Sequence, residues 1–518
     1  MPSSDSPRIS KTAWLAAGAL VLLVAAGVVL LLANSSSSGE SVSFTGSGYP
    51  NVDKSNTRHV GGPIDSSTVS DLEIAWTLAA TGKGTFGSYA SSPVVSKGVV
   101  YSQDLASNVQ AINLDTGEVL WTQTYETPTL GPNGVVVADG RVYGVTATEA
   151  FALDQETGEE IWSVILTRNE SEGIDIAPGY HDGLVYVSTV PTTASGAYAG
   201  EGVGVLWALD GKTGRKVWRF NTVPEDLWSA KNTEINSGGG LWYTPAFDGR
   251  GYMYFGVGNP APFPGTEEYP WGSSRPGPNL YTNSVVKLDA KTGKMQWHYQ
   301  LTPHDIHDWD LQGPAILMKV GGRELVMAAG KSGIVLALDR ETGEVVWKRP
   351  VGTHNGHDDD GLYAMRGEYS KLKTPMTVYP GAPGGVIAPM STDGSTVFAP
   401  VINSPMVIVS QTQKSEPGRP SGEVVALDAA TGAVKWQHDL STPPFGATTA
   451  VNDLVFATAF DGTLSALNTK TGRIVWQVSL PAGTNAGVVV SGDTLLAPAG
   501  VPAAEGQTPQ LVAYRLGG

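Results

Sequence analysis

Apolar and polar residues alternate in short runs along most of this chain, and the runs come in pairs split by turn signals. Val137-Ala-Asp-Gly-Arg-Val-Tyr143 and Val451-Asn-Asp-Leu-Val-Phe456 are two such places. A period of two puts one face of each run into a core and predicts strands joined as hairpins. From about residue 70 a longer unit recurs, small-apolar-Asp-x-x-Thr-Gly-x-x-x-Trp. It reads Ala111-Ile-Asn-Leu-Asp-Thr-Gly-Glu-Val-Leu-Trp121 and Ala152-Leu-Asp-Gln-Glu-Thr-Gly-Glu-Glu-Ile-Trp162. The same unit ends at Trp218, Trp297, Trp347, Trp436 and Trp476. Asp or Asn opens a tight turn, and Gly takes a positive φ. The Trp buries its ring between neighbouring units, worth roughly 3 kcal/mol or more per copy.

Four strands per unit at a spacing of about 40–50 residues is the signature of a β-propeller blade. An eighth tryptophan, in Leu72-Glu-Ile-Ala-Trp76, lacks the preceding turn. The C-terminal Gln510-Leu-Val-Ala-Tyr-Arg515 supplies the missing strand, so both ends of the chain would close the last blade and leave no free edge. The expected fold class is all-β, an eight-bladed β-propeller over residues 70–518, with an N-terminal transmembrane helix.

That helix is predicted where the alternation stops. Residues 13–33 are an uninterrupted apolar run behind Arg8 and Lys11. At about 1.5 Å per residue the run spans roughly 31 Å, the thickness of a bilayer core. The pattern therefore divides the chain into a cytoplasmic N-terminus (1–12), a signal anchor (13–33), a linker and lead-in (34–69) and the propeller. The basic flank precedes the run, which places the propeller outside the cytoplasm as a single-pass membrane protein.

Charge and composition remove several functions. A net charge of −16 without a basic run excludes nucleic acid as a partner. The chain has no cysteine, which excludes disulfides, thiol nucleophiles, Cys-ligated zinc and covalently attached c-type haem. Electrons from any redox reaction must then leave to a separate partner. Against this background Thr302-Pro-His-Asp-Ile-His-Asp-Trp-Asp310 stands out, with three carboxylates, two imidazoles and an indole in nine residues. Buried charges need partners or a metal, so the stretch reads as a loop leaving the scaffold, where catalytic groups are usually carried. Two long insertions flank it, between Trp218 and Lys287 and between Trp347 and Ala426. The second holds another His/Asp-rich loop, His354-Asn-Gly-His-Asp-Asp-Asp-Gly361, without EF-hand spacing.

The repeat resembles that of the pyrroloquinoline quinone (PQQ) propeller family, which includes quinoprotein alcohol dehydrogenases and non-enzymatic propellers of the bacterial envelope. Over roughly residues 225–350 the likeness is to the dehydrogenase branch. It rests on Gly238-Gly-Gly-Leu-Trp-Tyr-Thr-Pro-Ala-Phe-Asp248, Gly256-Val-Gly-Asn-Pro-Ala-Pro262, Asn279-Leu-Tyr-Thr-Asn-Ser284, His298-Tyr-Gln-Leu-Thr-Pro-His-Asp305 with Trp309-Asp310, and Ala328-Ala-Gly-Lys331. The resemblance implies that the quinone stacks on Trp242 and that Lys331 contacts its carbonyl oxygens. It implies Asp310 as the catalytic aspartate, and Asn259, Asp310 and a glutamate, for which Glu201 is the nearest candidate, around a calcium ion. Gln312 stands where lanthanide-dependent members carry a second aspartate.

The set is chemically coherent. A hard cation takes oxygen ligands and polarises a carbonyl, an ionised Asp accepts an alcohol proton, and an ammonium steadies developing negative charge. The chain departs from the family in lacking a vicinal cysteine pair and an arginine near Pro132-Asn133-Gly134, and it places Asp175 where a neutral hydroxyl is common. The implied function is an extracytoplasmic quinoprotein dehydrogenase. It would oxidise an alcohol or related hydroxyl substrate by hydride transfer to PQQ with Ca2+ and pass electrons to a cytochrome c or a membrane quinone. The alternative is a non-catalytic propeller serving as an envelope binding or assembly scaffold.

Overall fold

The alternating runs pair as antiparallel hairpins in a computed structural model of the chain, which describes residues 47–192, 200–224, 234–416, 418–502 and 505–517. Eight blade-like sheets follow one another, seven of four strands and one of five. The first seven cover 94–123, 136–165, 179–221, 246–300, 316–350, 391–440 and 449–479. The eighth takes Val489–Ser491, Thr494–Ala499 and Gln510–Leu516 from the end of the chain. Leu72–Ala79 completes it, pairing antiparallel with Gln510–Leu516, as the isolated Trp76 implies.

The repeat residues join each blade to the next. In the second blade Asp154 Oδ1 accepts the backbone N–H groups of Glu156 and Thr157, both at 2.9 Å. These donors, that of Thr157 foremost, hold the carboxyl below the usual aspartate range. The tryptophan of one blade then reaches a carbonyl of the following one. Trp76 Nε1 donates to Leu114 O at 2.9 Å, Trp162 to Gly211 O at 3.1 Å, and Trp436 to Thr469 O at 2.7 Å. The ring lies flush against the glycine of that blade's Thr-Gly turn. At Gly432 (φ +68) a Cβ would stand 2.5 Å from the Trp347 ring. Gly432→Ala should therefore lower stability by about 2–4 kcal/mol, from backbone strain and a displaced indole together. A thermal midpoint equal to wild type would show that this seam has slack.

The lead-in is more than a linker. Residues 48–60 cross the propeller axis and bond to the innermost strands of six blades. Gly48 pairs with Val95 O (2.9 Å) and the Val137 N–H (2.7 Å). The carbonyls of Lys54, Ser55 and Thr57 accept from Phe247 (2.7 Å), Leu317 (3.0 Å) and Thr392 (3.0 Å). Arg58 O accepts from Ala450 at 2.9 Å, and His59–Val60 adds a parallel strand to the seventh blade. Inner strands have no neighbour on the axis side, and the lead-in satisfies their free edge groups.

The expectation of a transmembrane helix is corrected. Residues 13–33 lie outside the described residues, as does the N-terminus before them. Among the described residues no helix is long and apolar enough to cross a membrane. The α-helix Asp360–Met365 has six residues, whereas a bilayer core takes about 20. Among the described residues the fold class is an all-β propeller.

Candidate active site

The 302–310 loop runs from the fourth blade to the fifth, and its polar residues are buried rather than solvated. Each finds its own partner, as burial requires. Asp305 ties the turn together, accepting the His307 N–H at 2.7 Å on Oδ1 and the Trp309 N–H at 2.6 Å on Oδ2. The Trp309 indole donates to Pro380 O at 3.0 Å, which locks the loop under the second insertion. His304 lies between the carbonyls of Gly277 (3.0 Å) and Trp271 (3.1 Å). Burial, aided by nearby Arg275, pushes its pKa down to about 4. His307 Nε2 sits 3.1 Å from Asp360 Oδ2, which also meets His357 Nδ1 at 2.8 Å. The imidazoles thus serve the loop. Among the described residues no group of three or more His, Cys, Asp or Glu could hold a metal ion.

Asp308 and Asp310 point to one ammonium. Lys331 Nζ is 2.6 Å from Asp310 Oδ2 and 3.2 Å from Asp308 Oδ2. Its backbone N–H also donates to Asp310 O at 2.9 Å, so the loop and the start of the next hairpin are bonded twice. Asp310 Oδ1 accepts the Asn259 N–H at 2.7 Å. Burial pushes Asp308 up to about 7, with Lys331 opposing and Asp310 adding to the rise. Trp242 enters across Gly258. A Cβ there would lie 2.7 Å from Asp310 Oδ1, 3.0 Å from Gly240 O and 3.3 Å from Trp242 Nε1, so the cradle closes only around a glycine. Asn259 Nδ2 donates to Pro260 O at 3.1 Å, and its Oδ1 makes no hydrogen bond among the described residues.

Trp242, Asn259, Asp310 and Lys331, read from four separate stretches, are thus brought together. Glu201 is not among them: it is exposed, at φ 61. Two supports had no signal in the sequence. Arg275 is buried and donates to Pro262 O (3.0 Å) and Asp305 O (2.6 Å), bracing the loop from within the first insertion. Lys414 lies 4.0 Å from Asp308 Oδ2 and 4.6 Å from the Phe263 ring centroid.

Asp175 is buried and accepts the N–H groups of Leu130 (3.0 Å) and Gly131 (3.1 Å). Burial raises its pKa from 3.8 to about 6 against those donors. A carboxyl with a raised folded value favours folding while protonated. Its contribution is full below about pH 4 and lost as pH rises through about 6, on the order of 3 kcal/mol in all. Asp175→Asn should flatten that part of the stability profile, and an unchanged slope in urea melts across the window would reject the assignment.

Comparison with known proteins follows the same division. Residues 169–355, which hold the whole cluster, match the family model for the glucose/ethanol/alcohol dehydrogenase β-propeller domain. Residues 57–134 and 390–516 match the model for outer membrane protein assembly factor BamB. The quinohemoprotein alcohol dehydrogenase of Comamonas testosteroni is 29% identical over 84% of this chain and 68% of its own length. Its crystal structure superposes with a TM-score of 0.77 at 25% identity, covering 92% of this chain and 81% of that one. The chain is homologous to quinoprotein alcohol dehydrogenases and shares their PQQ-type propeller repeats. Methanol dehydrogenase [cytochrome c] subunit 1 of Methylobacterium organophilum is a further relative, 27% identical over 81% of this chain and 77% of that protein.

The residues present fit what the family name implies. An indole edge faces a carboxylate across a glycine, an ammonium is fixed beside that carboxylate, and a carboxamide oxygen has no hydrogen-bond partner among the described residues. That arrangement suits a planar anionic ring and a hard cation that takes its remaining oxygens from other donors. The implied glutamate ligand has no counterpart at Glu201.

Proposed function

We propose that this protein is an extracytoplasmic quinoprotein dehydrogenase that oxidises an alcohol or related hydroxyl substrate, with PQQ and calcium as cofactors. The observation that carries the reading is the convergence of Trp242, Asn259, Asp310 and Lys331 around Gly258. Trp242 would hold PQQ, which would supply a two-electron acceptor for the hydride, and Asn259 Oδ1 with Asp310 would hold calcium, which would supply a Lewis acid. Asp310 is braced as an acceptor by the Asn259 N–H on Oδ1 and by Lys331 on Oδ2. It takes the proton of the substrate hydroxyl at Oδ1, the oxygen that fronts the Trp242 edge. Lys331, held by two carboxylates, steadies negative charge as it develops. Trp271, Trp309, Leu372, Val378 and Met406 pack into one apolar cluster around the loop and keep water from it. With no cysteine for an attached haem, the electrons pass to a separate acceptor, a cytochrome c or a membrane quinone.

The test is titration of purified protein with PQQ in calcium, following quinone absorbance and dye-linked ethanol oxidation together. Saturable, calcium-dependent binding with turnover is expected. Absence of binding at micromolar PQQ would sink the dehydrogenase reading in favour of an envelope scaffold.

A further inference from the structure

On the propeller axis a cation is buried with no anion beside it. Arg58 of the lead-in is 1% exposed and bonds only to neutral groups. Its Nε donates to Thr448 O at 2.7 Å and Nη1 to Asn51 Oδ1 at 3.1 Å. Nη2 reaches Thr449 Oγ1 (2.8 Å), Val488 O (2.9 Å) and Ser92 Oγ (3.2 Å). Each terminal nitrogen of a guanidinium carries two hydrogens, so one on Nη1 has no acceptor among the described residues. No carboxylate among them lies within ion-pair distance of the group. Such a cation is costly to bury, and burial pushes its pKa down to about 10.

A cavity of about 40 Å³ adjoins it, and its polar side chains are Arg58, Asn51, Ser91, Ser92, Tyr243, Thr244 and Asn485. No Asp or Glu lines it. The Tyr243 hydroxyl makes no hydrogen bond to a described residue, and burial pushes its pKa up with the nearby Arg58 charge opposing. Tyr243 follows Trp242 directly in the chain, while Trp242, Asn259, Asp310 and Lys331 do not themselves line the cavity. Its volume is on the order of three water-sized spheres, room for a carboxylate group but not for a ring system. The lining presents donors and one full positive charge.

We propose that this cavity is a carboxylate-binding site in which Arg58 and the Tyr243 hydroxyl grip a single carboxylate group. Two sources share that chemistry, an arm of the tricarboxylate PQQ or a free small carboxylate. The first rests on the quinoprotein reading and the second does not.

Calorimetry on the full chain in calcium separates them, with PQQ, its trimethyl ester and formate as probes and Tyr243→Phe as the variant. If PQQ supplies the group, Tyr243→Phe weakens PQQ binding about tenfold and leaves the ester's affinity unchanged. If a free carboxylate does, formate binds wild type and loses about tenfold in the variant, even where PQQ fails to bind and the quinoprotein reading falls alone. Arg58→Lys should weaken the same probe by about a hundredfold. Tyr243→Phe keeps the test sound should Arg58→Lys fail to fold, because the phenol holds no structural bond. A Tyr243→Phe protein that melts like wild type and binds PQQ and formate as tightly overturns the proposal. So does a wild-type protein that binds neither.

Discussion

Asp310→Asn should lower kcat by about a thousandfold or more while costing little of the fold. The amide is isosteric and keeps one acceptor for the Asn259 N–H, now 2.7 Å from Oδ1. It cannot take up a hydroxyl proton. With its oxygen on that side, the amide nitrogen faces Lys331, donor against donor, where Asp310 Oδ2 now sits 2.6 Å away. Lys331 still has Asp308 at 3.2 Å, so the ammonium is not stranded. The thermal midpoint should therefore fall by only a few degrees, in line with about 1–2 kcal/mol for one weakened contact. Turnover near that of wild type would remove Asp310 from the chemistry. A collapse in melting temperature would make it a structural residue.

Lys331→Ala should be damaging in both respects. Without the ammonium, Asp310 loses its cation and Asp308 keeps only Lys414, at 4.0 Å, a situation close to the removal of one partner of a buried pair, which costs about 3–5 kcal/mol. The loss carries a pH signature. Asp308 already stands at about 7 in the folded protein against 3.8 for the free side chain. Its contribution to stability is present at low pH and lost as pH rises through that interval. Removing the opposing cation extends the interval upward, so the gap in melting temperature between variant and wild type should widen from about pH 5 to about pH 8. Turnover should drop by about a hundredfold or more, as for a lost electrostatic stabiliser. A gap independent of pH would mean that Lys331 does not neutralise this pair.

What the sequence discloses and what it hides follow from distance along the chain. The blades are legible because each is written locally, in a turn residue, a glycine and a tryptophan within eleven positions. The closing strand was legible too, since Trp76 without its turn demands a partner and only 510–515 lacked one. Trp242, Asn259, Asp310 and Lys331 could be singled out by their motifs, but not their meeting at Gly258, which depends on a missing Cβ. Glu201 was placed by counting along a loop, and a loop does not preserve register. The apolar run at 13–33 is a strong local pattern that no described helix supports. Arg58 was missed altogether, because its acceptors Thr448 and Val488 lie 390 and 430 residues away. Nothing near it alternates or repeats.

The strand at Leu72–Ala79 has a consequence for how the molecule is made. It emerges from the ribosome early, yet the strand it pairs with, Gln510–Leu516, follows more than 400 residues later. At about 5–20 residues per second, tens of seconds separate the two. Throughout that interval the ring stands open, with an unpaired strand at one end and the eighth blade unmade at the other. Such edges invite pairing with other chains. Biogenesis therefore has to shield the nascent chain until Gln510–Leu516 is available, and loss of that strand should be far more harmful than a nick in any blade-to-blade turn.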